Sequence, residues 1–300
     1  MSLARLGGIK PGRLGVFAGA LSLQPAAVQR EVALEMERLG YGTLWYGEGV
    51  AREAFAQAAI LLSATSSLVV ASGIANIWAR DPMAMAAGGR SIAEAWPGRF
   101  ILGLGVSHAP MVADRGHNYA RPVASMREYL ERMGQAAWRG PEAAMPPIVL
   151  AALGPRMVAL AGERTAGAYP YFTTAKHIHD VRKQLGADAF LAADLPVVLA
   201  DDRVTARTIG DRHTSQYLRT ENYRNHLLRI GWTAEHLEPP GSDGLFDAVM
   251  AWGSVKSVGG RVAGLLAAGA DQVALNLVTR DRAVPYLPEL RALASLNSAS

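Results

Sequence analysis

Short runs of apolar residues alternate along the chain with segments whose apolar residues recur at helical spacing. The runs are continuous and rich in Val, Ile and Leu, a pattern typical of parallel strands buried on both faces. A helical segment between two such runs indicates a βαβ unit. Eight strands are predicted in this way, at residues 13–18, 43–47, 68–74, 100–106, 147–152, 168–173, 195–200 and 272–278.

Eight alternating strand and helix units predict an α/β protein with the (β/α)8 TIM-barrel architecture. No low-complexity linker interrupts the alternation, so residues 1–300 are interpreted as one domain. The polar, largely helical stretch 201–237 is interpreted as an enlargement after the seventh strand. Its aromatic residues Tyr217, Tyr223 and Trp232 either line a substrate pocket or only pack within the enlargement.

The stretch 68–110 is the clearest βαβ unit. Its first strand ends in the small-residue turn Ala-Ser-Gly-Ile-Ala-Asn at 71–76, and its helix has Pro82 in the first turn, where proline is favoured. Its second strand ends in a Gly-x-Gly followed by Val, Ser and His. The third glycine of the dinucleotide-binding fingerprint is missing, so this Gly-x-Gly does not indicate a Rossmann site. It is better explained by a close approach of the backbone to a ligand or to a neighbouring strand. Polar residues after both strands should share the carboxyl-end rim of the barrel.

Residues 71–76, 81–82 and 98–105 resemble the bacterial luciferase-like flavin and deazaflavin oxidoreductases, particularly the branch that uses coenzyme F420. The resemblance covers nearly the whole chain. It implies hydride transfer between C5 of the deazaflavin and a small organic substrate of unknown identity. Two alternatives remain, an FMN-dependent monooxygenase and a non-catalytic flavin-binding barrel.

The resemblance also implies where the cofactor binds. Its ring would lie over a bulge at Gly73 and Ile74, where the family has a cis peptide bond, and an ordinary tight turn is the alternative. The Gly-Pro turn at the start of a helix presents free N–H groups and a positive dipole end, which suits the cofactor phosphate. The implied cofactor-binding residues are Gly73, Ile74, Asn76, Val106, Ser107, Leu153, Gly154, Pro155, Arg156, Met157 and Thr173.

Two residues are implied to take part in catalysis. His108 stands where a sugar-phosphate dehydrogenase of the family carries a Glu proton donor, and histidine exchanges protons readily near neutral pH. Glu48 stands where the family has an acidic residue that faces the ring, often followed by His, but here Gly49 follows. The alternatives are a structural hydrogen bond for His108 and capping of the next helix by Glu48.

The pair His177 and His179 has the His-x-His spacing of some metal-dependent hydrolases. It lies in a predicted helix, where side chains two positions apart point in different directions and cannot bind one ion. No metal site is therefore predicted.

The charge and composition of the chain limit which classes of binding partner are expected. The chain has 30 basic and 26 acidic residues, scattered rather than clustered, which disfavours a nucleic-acid partner. It has no cysteine, no signal-peptide block and no apolar stretch long enough for a membrane span, so we expect a cytoplasmic enzyme acting on a small molecule. The helices 54–62 and 82–95 are unusually rich in Ala, Met and Leu, and family members pair through this side, so a homodimer is predicted.

Overall fold

The computed structural model describes residues 4–280 and 286–297, in which strands alternate with helices. The strands are β1 (Leu14–Phe17), β2 (Thr43–Tyr46), β3 (Val69–Ser72), β4 (Ala75–Asn76), β5 (Phe100–Gly105), β6 (Ile148–Leu150), β7 (Gly167–Ala168), β8 (Phe190–Leu199), β9 (Ala251–Gly253) and β10 (Gln272–Leu277). The helices are α1 (Ala26–Arg38), α2 (Ala54–Leu62), α3 (Pro82–Ala95), α4 (Ala109–Ala113), α5 (Pro122–Gly134), α6 (Pro155–Arg164), α7 (Ala175–Leu185), α8 (Arg203–Leu218), α9 (Glu221–Arg229), α10 (Asp243–Val249), α11 (Val255–Ala267) and α12 (Leu287–Leu293). Short 3-10 helices occupy Ala4–Leu6, Gly19–Leu23, Ala234–Leu237 and Ala294–Asn297.

Eight parallel strands close into a barrel in the order β1, β2, β3, β5, β6, β7, β8 and β10, and β10 pairs with β1. Strand β4 resumes the path of β3 after the bulge and pairs with β5. Strand β9 pairs with the carboxyl end of β8. The predicted TIM barrel is confirmed, with all pairings parallel.

The barrel strands are almost completely buried because their inner faces fill the barrel and their outer faces pack on the helices. Trp45, Tyr169 and Phe190 belong to the interior cluster. Helix α3 begins where Asp81 accepts the N–H of Ala84 and proline follows at the first helical position. Among the described residues, no helix has the length and apolarity needed to cross a membrane.

The sixth strand, the seventh strand and the enlargement differ most from their predicted extents. The sixth strand, predicted at 168–173, is only Gly167–Ala168, and Phe172 within the predicted range has a left-handed φ of 50°, which an extended strand does not contain. The seventh strand begins at Phe190 and includes the buried Asp194, which the apolar-run criterion excluded. The enlargement forms two helices, because the backbone is extended at Thr220.

Candidate active site

Close backbone contacts with β5 build the bulge after β3. Ser72 Oγ donates to the carbonyl oxygen of Gly103 at 2.9 Å. A Cβ at Gly103 would lie 1.8 Å from the Ser72 carbonyl oxygen, and one at Gly105 would lie 2.5 Å from Ile74 Cγ1. Both positions therefore require glycine, which accounts for the Gly-x-Gly. The peptide bond between Gly73 and Ile74 is cis.

Aromatic rings surround the bulge. A Cβ at Gly73 would lie 3.0 Å from Tyr169, 3.3 Å from Trp45 and 3.4 Å from Phe17. The rings of Tyr169 and Trp45 stack with their centroids 4.4 Å apart, and both are buried. The bulge thus rests on closely packed aromatic side chains.

Glu48 is a buried carboxylate that holds the bulge in place. It forms an ion pair with Arg80 and accepts the backbone N–H of Asn76 at 2.8 Å and of Ala54 at 3.1 Å. Arg80 also contacts Glu53, whose side chain caps α2. Both oxygens of Glu48 have partners within the protein, so its contacts are those of a positioning residue. Sequence reasoning missed Arg80, because a single arginine has no periodic pattern.

Asn76 carries an unpartnered donor. Asn76 is 1% exposed, and its Oδ1 accepts the backbone N–H of Trp78 at 3.0 Å, but its Nδ2 has no hydrogen-bond partner among the described residues. A buried donor left unpaired costs about 1 to 3 kcal/mol. The amide therefore fits a ligand that offers an acceptor, such as a carbonyl oxygen of a flavin-like ring.

The turn after β5 leads into α4. The carbonyl oxygen of Val106 accepts Trp78 Nε1 at 3.0 Å, and Ser107 has a left-handed φ of 59°. His108 is the residue before α4, and its buried Nδ1 has no hydrogen-bond partner in the part of the chain that the structure describes. Its ring lies 5.5 Å from that of Tyr223. Burial lowers the pKa of His108, and a contact with the side chain of Asn222 partly opposes this, so the ring is neutral at pH 7.

The turn between β6 and α6 forms a helix N-terminus with two arginines beside it. Gly154 is the N-cap of α6 and provides no side-chain cap. Arg156 is exposed on the first turn. An Nη atom of Arg229, at the end of α9, lies 3.7 Å from the position that a Cβ would take at Gly154. Free N–H groups and two positive charges make this turn suitable for a phosphate.

Thr173 and Leu153 hold a buried histidine behind this turn. The hydroxyl of Thr173 hydrogen-bonds His177 Nδ1, and His177 Nε2 donates to the carbonyl oxygen of Leu153 at 3.1 Å. Burial lowers the pKa of His177 to about 4, so the ring is neutral and Thr173 is the donor. The Thr173 hydroxyl is therefore engaged by His177. His179, by contrast, is exposed, so the two rings of the His-x-His face different ways, as predicted.

Sequence reasoning also missed a polar cluster in the barrel mouth. Asp194, on β8, is buried with Tyr169 Oη 3.5 Å from its Oδ1, and burial raises its pKa well above the ordinary value. Asn276 Nδ2 donates to Tyr171 Oη at 2.6 Å, and Tyr171 Oη lies 2.8 Å from Tyr217 Oη. These residues lie far apart in the chain, so no local pattern indicates that they meet.

Two cavities open near the site, of about 420 and 400 Å³. The first lies against Trp78 and the start of α3, and the second lies at the barrel mouth beside Phe17 and Tyr217. No residue singled out for cofactor binding or catalysis lines either of them. Of the enlargement aromatics, Tyr223 belongs to a core cluster against which Tyr217 and Trp232 pack, and Tyr217 also lines the second cavity.

The family of the chain follows from a comparison with known protein families. The family model described as luciferase-like monooxygenase matches residues 6–272. The chain belongs to this family. The luciferase-like residues include the bulge at Gly73, the turn after β5 and the start of α6, which all lie on one rim of the barrel.

Relatives of this luciferase-like chain carry different cofactors in their names. A protein of Mycobacterium tuberculosis named as a coenzyme F420-dependent oxidoreductase is 27% identical over 239 residues, 65% of this chain and 69% of its own length. An F420-dependent secondary alcohol dehydrogenase with an F420–acetone adduct has a TM-score of 0.74 at 14% identity, covering 96% of this chain and 98% of that one. The oxygenating constituent of the 3,6-diketocamphane monooxygenase of Pseudomonas putida, in complex with FMN, has a TM-score of 0.68 at 16% identity, covering 95% and 96%. At these identities the two structures show the shared fold.

Proposed function

We propose that the protein is a coenzyme F420-dependent oxidoreductase. The observation that carries the proposal is that one rim of the barrel combines an unpartnered buried amide at Asn76 with an arginine-flanked helix N-terminus at Gly154. A deazaflavin with a ring carbonyl and a phosphate needs both features. The name of the mycobacterial relative supports F420 over FMN.

The residues present fit such a cofactor in two places. The backbone of Gly73 and Ile74 would support the ring, the Asn76 amide would donate to it, and Val106 and Ser107 would border it. The phosphate would bind to the N–H groups and arginines of the α6 turn. Thr173 would contribute indirectly, because it hydrogen-bonds His177, which holds the carbonyl oxygen of Leu153 in that turn. The turn residues are Leu153, Gly154, Pro155, Arg156 and Met157, to which the structure adds Arg229.

A bound deazaflavin would supply or accept the hydride at its C5. Within the chain, the unpartnered Nδ1 of His108 is available to move the accompanying proton to or from the substrate. Glu48 would act indirectly, because its contacts with Arg80 and the Asn76 backbone fix the bulge. We further propose one domain over residues 1–300, a cytoplasmic location and a homodimer formed through α2 and α3.

An FMN-dependent monooxygenase is the second candidate, favoured by the FMN-bound neighbour and by the family description. A non-catalytic flavin-binding barrel is a third, because Gly49 replaces the family's ring-facing His. Titrating the purified protein with F420 and with FMN, followed by absorbance and fluorescence, separates these candidates. We expect tighter binding of F420, and equal or reversed affinities would refute the proposal. Binding without hydride transfer to any substrate would favour the third candidate.

A further inference from the structure

The 400 Å³ cavity at the barrel mouth lies next to the bulge without including it. Its walls come from the 3-10 helix Gly19–Leu23, the turn after β2, α8 and the segment after β10. Phe17 joins the two places, because its ring lies 3.4 Å from the Cβ position of Gly73 and 5.4 Å from the ring of Tyr171, centroid to centroid. A molecule in this cavity would therefore lie beside the proposed position of the cofactor ring.

The inner end of the cavity is polar and firmly held. Asn276, only 7% exposed, donates to the hydroxyl of Tyr171, which is also hydrogen-bonded to that of Tyr217. Burial keeps the pKa of Tyr171 well above its ordinary value, so the hydroxyl stays protonated. A carbonyl or hydroxyl oxygen of a ligand suits this end, because a phenol can both donate and accept hydrogen bonds.

The outer end of the cavity is positive. Arg212 on α8 and Arg280 after β10 line it, and both are exposed. The described residues of the lining include no Asp or Glu, and in the described part of the chain neither arginine has an ion-pair partner. Leu23 and Val50, which are 66% and 93% exposed, form an apolar rim. Exposed apolar side chains that border a cavity are typical of a ligand-binding site.

We propose that this cavity binds an oxo acid or hydroxy acid with an apolar body, its carboxylate at the arginines and its carbonyl or hydroxyl oxygen at Tyr171. The binding claim stands alone, whereas the reaction rests on the proposed function. In the direction of reduction, the reduced coenzyme would give a hydride to the carbonyl carbon, and the carbonyl oxygen would take a proton from water. His108 would carry this proton, since its ring lies 5.5 Å from that of Tyr223, which lies 6.1 Å from that of Tyr171. The products would be the hydroxy acid and the oxidised coenzyme.

4-Acetylbenzoate, in which an aromatic ring separates a ketone from a carboxylate, can reach both ends of the cavity and tests the binding claim against its neutral amide. We expect calorimetric titration to show at least tenfold tighter binding of the acid, with a smaller difference at high salt, because exposed charges are screened. The variants Arg212→Gln and Arg280→Gln should each reduce the preference, and Arg212→Lys should retain most of it. Arg219→Gln, exposed at the end of α8 and outside the cavity, is the matched control.

Equal binding of the acid and the amide to the wild-type protein would overturn the inference, as would a preference that both arginine variants keep. Circular dichroism of each variant confirms that its fold is retained. An F420 titration on the same protein separates the two claims. Binding of the acid without binding of F420 supports the cavity and refutes the proposed cofactor, whereas binding of F420 without a preference for the acid refutes only the cavity.

Discussion

The carboxylate of Glu48 and the guanidinium of Arg80 form a buried ion pair below the barrel rim, with side chains 3% and 10% exposed. The same carboxylate accepts backbone N–H groups from both the bulge segment and the start of α2. Removing one partner of a buried ion pair is costly, because the other charge stays desolvated. This geometry links the stability of the protein to the shape of its proposed ring site.

Glu48→Gln should lower the free energy of unfolding by about 2 to 4 kcal/mol, because among the described residues it leaves Arg80 with the exposed Glu53 alone as a charged partner. Urea unfolding measures this change. Glu53→Gln is the control, since that side chain is 48% exposed and should cost no more than about 1 kcal/mol. Equal losses in the two variants would show that Glu48 does not anchor the bulge.

The sequence was sufficient for the barrel and for the turns that carry its rim. Apolar runs such as β3 and β5 predict buried strands, and the Gly-x-Gly indicates the close contact that Gly103 and Gly105 make with the bulge. The sequence was insufficient where the residues that contact one another in the site come from distant segments of the chain. Arg80, Asp194 and Arg229 are single charged residues whose significance depends on what the closed barrel places beside them.

Sequence reasoning also could not assign partners to predicted site residues. The resemblance implied that Thr173 contacts the phosphate, but its hydroxyl bonds His177. Helix α7 begins at Ala175, and its first turn places the His177 ring beside Thr173. Nothing local in the sequence specifies this choice. The extent of β8 was missed for a related reason, since Asp194 is tolerated in a strand only where the barrel mouth supplies polar neighbours.

Arg229→Gln should weaken F420 binding by about 1 to 3 kcal/mol, because it removes a charged donor beside the α6 turn. Arg156→Ala should have an effect of similar size. Affinity for the corresponding deazariboflavin, which lacks the phosphate, should stay unchanged in both variants. Fluorescence titration with the two ligands measures the difference.

Arg30→Gln, exposed on α1, is the control and should bind both ligands normally. If Arg156→Ala and Arg229→Gln both leave F420 affinity unchanged, backbone N–H groups alone hold the phosphate or it binds elsewhere. If both ligands weaken equally, the arginines act on the ring site.

The stability of the protein should fall as the pH drops below about 6.5. Burial lowers the pKa of His177 to about 4. Burial, together with the nearby His177 and Arg229, lowers the pKa of His226 to about 3, so the folded state keeps both histidines neutral. The unfolded chain takes up these protons near pH 6.5, which favours unfolding as the pH falls towards 4. Each proton contributes a slope of about 1.4 kcal/mol per pH unit.

His226→Leu should reduce this slope by about one proton without lowering stability at pH 7.5, because both ring nitrogens of His226 are buried and neither bonds a described residue. Urea unfolding at a series of pH values measures it. The exposed His179, changed to Gln, should leave the slope as it is. An unchanged slope in His226→Leu would mean that His226 is protonated in the folded protein.

Met83→Glu should convert the proposed homodimer to a monomer. Met83 is 61% exposed on α3, and the neighbouring α2 has no charged residue. In the proposed dimer, a glutamate at position 83 would be buried against the second copy without a partner of opposite charge from α2. Light scattering measures the mass. Val204→Glu, at an apolar residue 77% exposed on α8, should leave the mass unchanged, and a wild-type monomer at micromolar concentration would refute the dimer.

His108→Ala should lower turnover by about 100-fold to 10,000-fold, the range expected for loss of a general acid or base. The affinity for F420 should stay nearly unchanged, because no other described side chain bonds the buried Nδ1 of His108. Burial lowers the pKa of His108, so the rate of the wild-type enzyme should change with pH below about 6.5, and this inflection should vanish in the variant. Tyr223→Phe, which keeps the neighbouring ring and removes only its hydroxyl, is the control and should retain both the rate and the inflection. Loss of F420 binding or of folding in His108→Ala, with turnover per bound coenzyme preserved, would make His108 a structural residue.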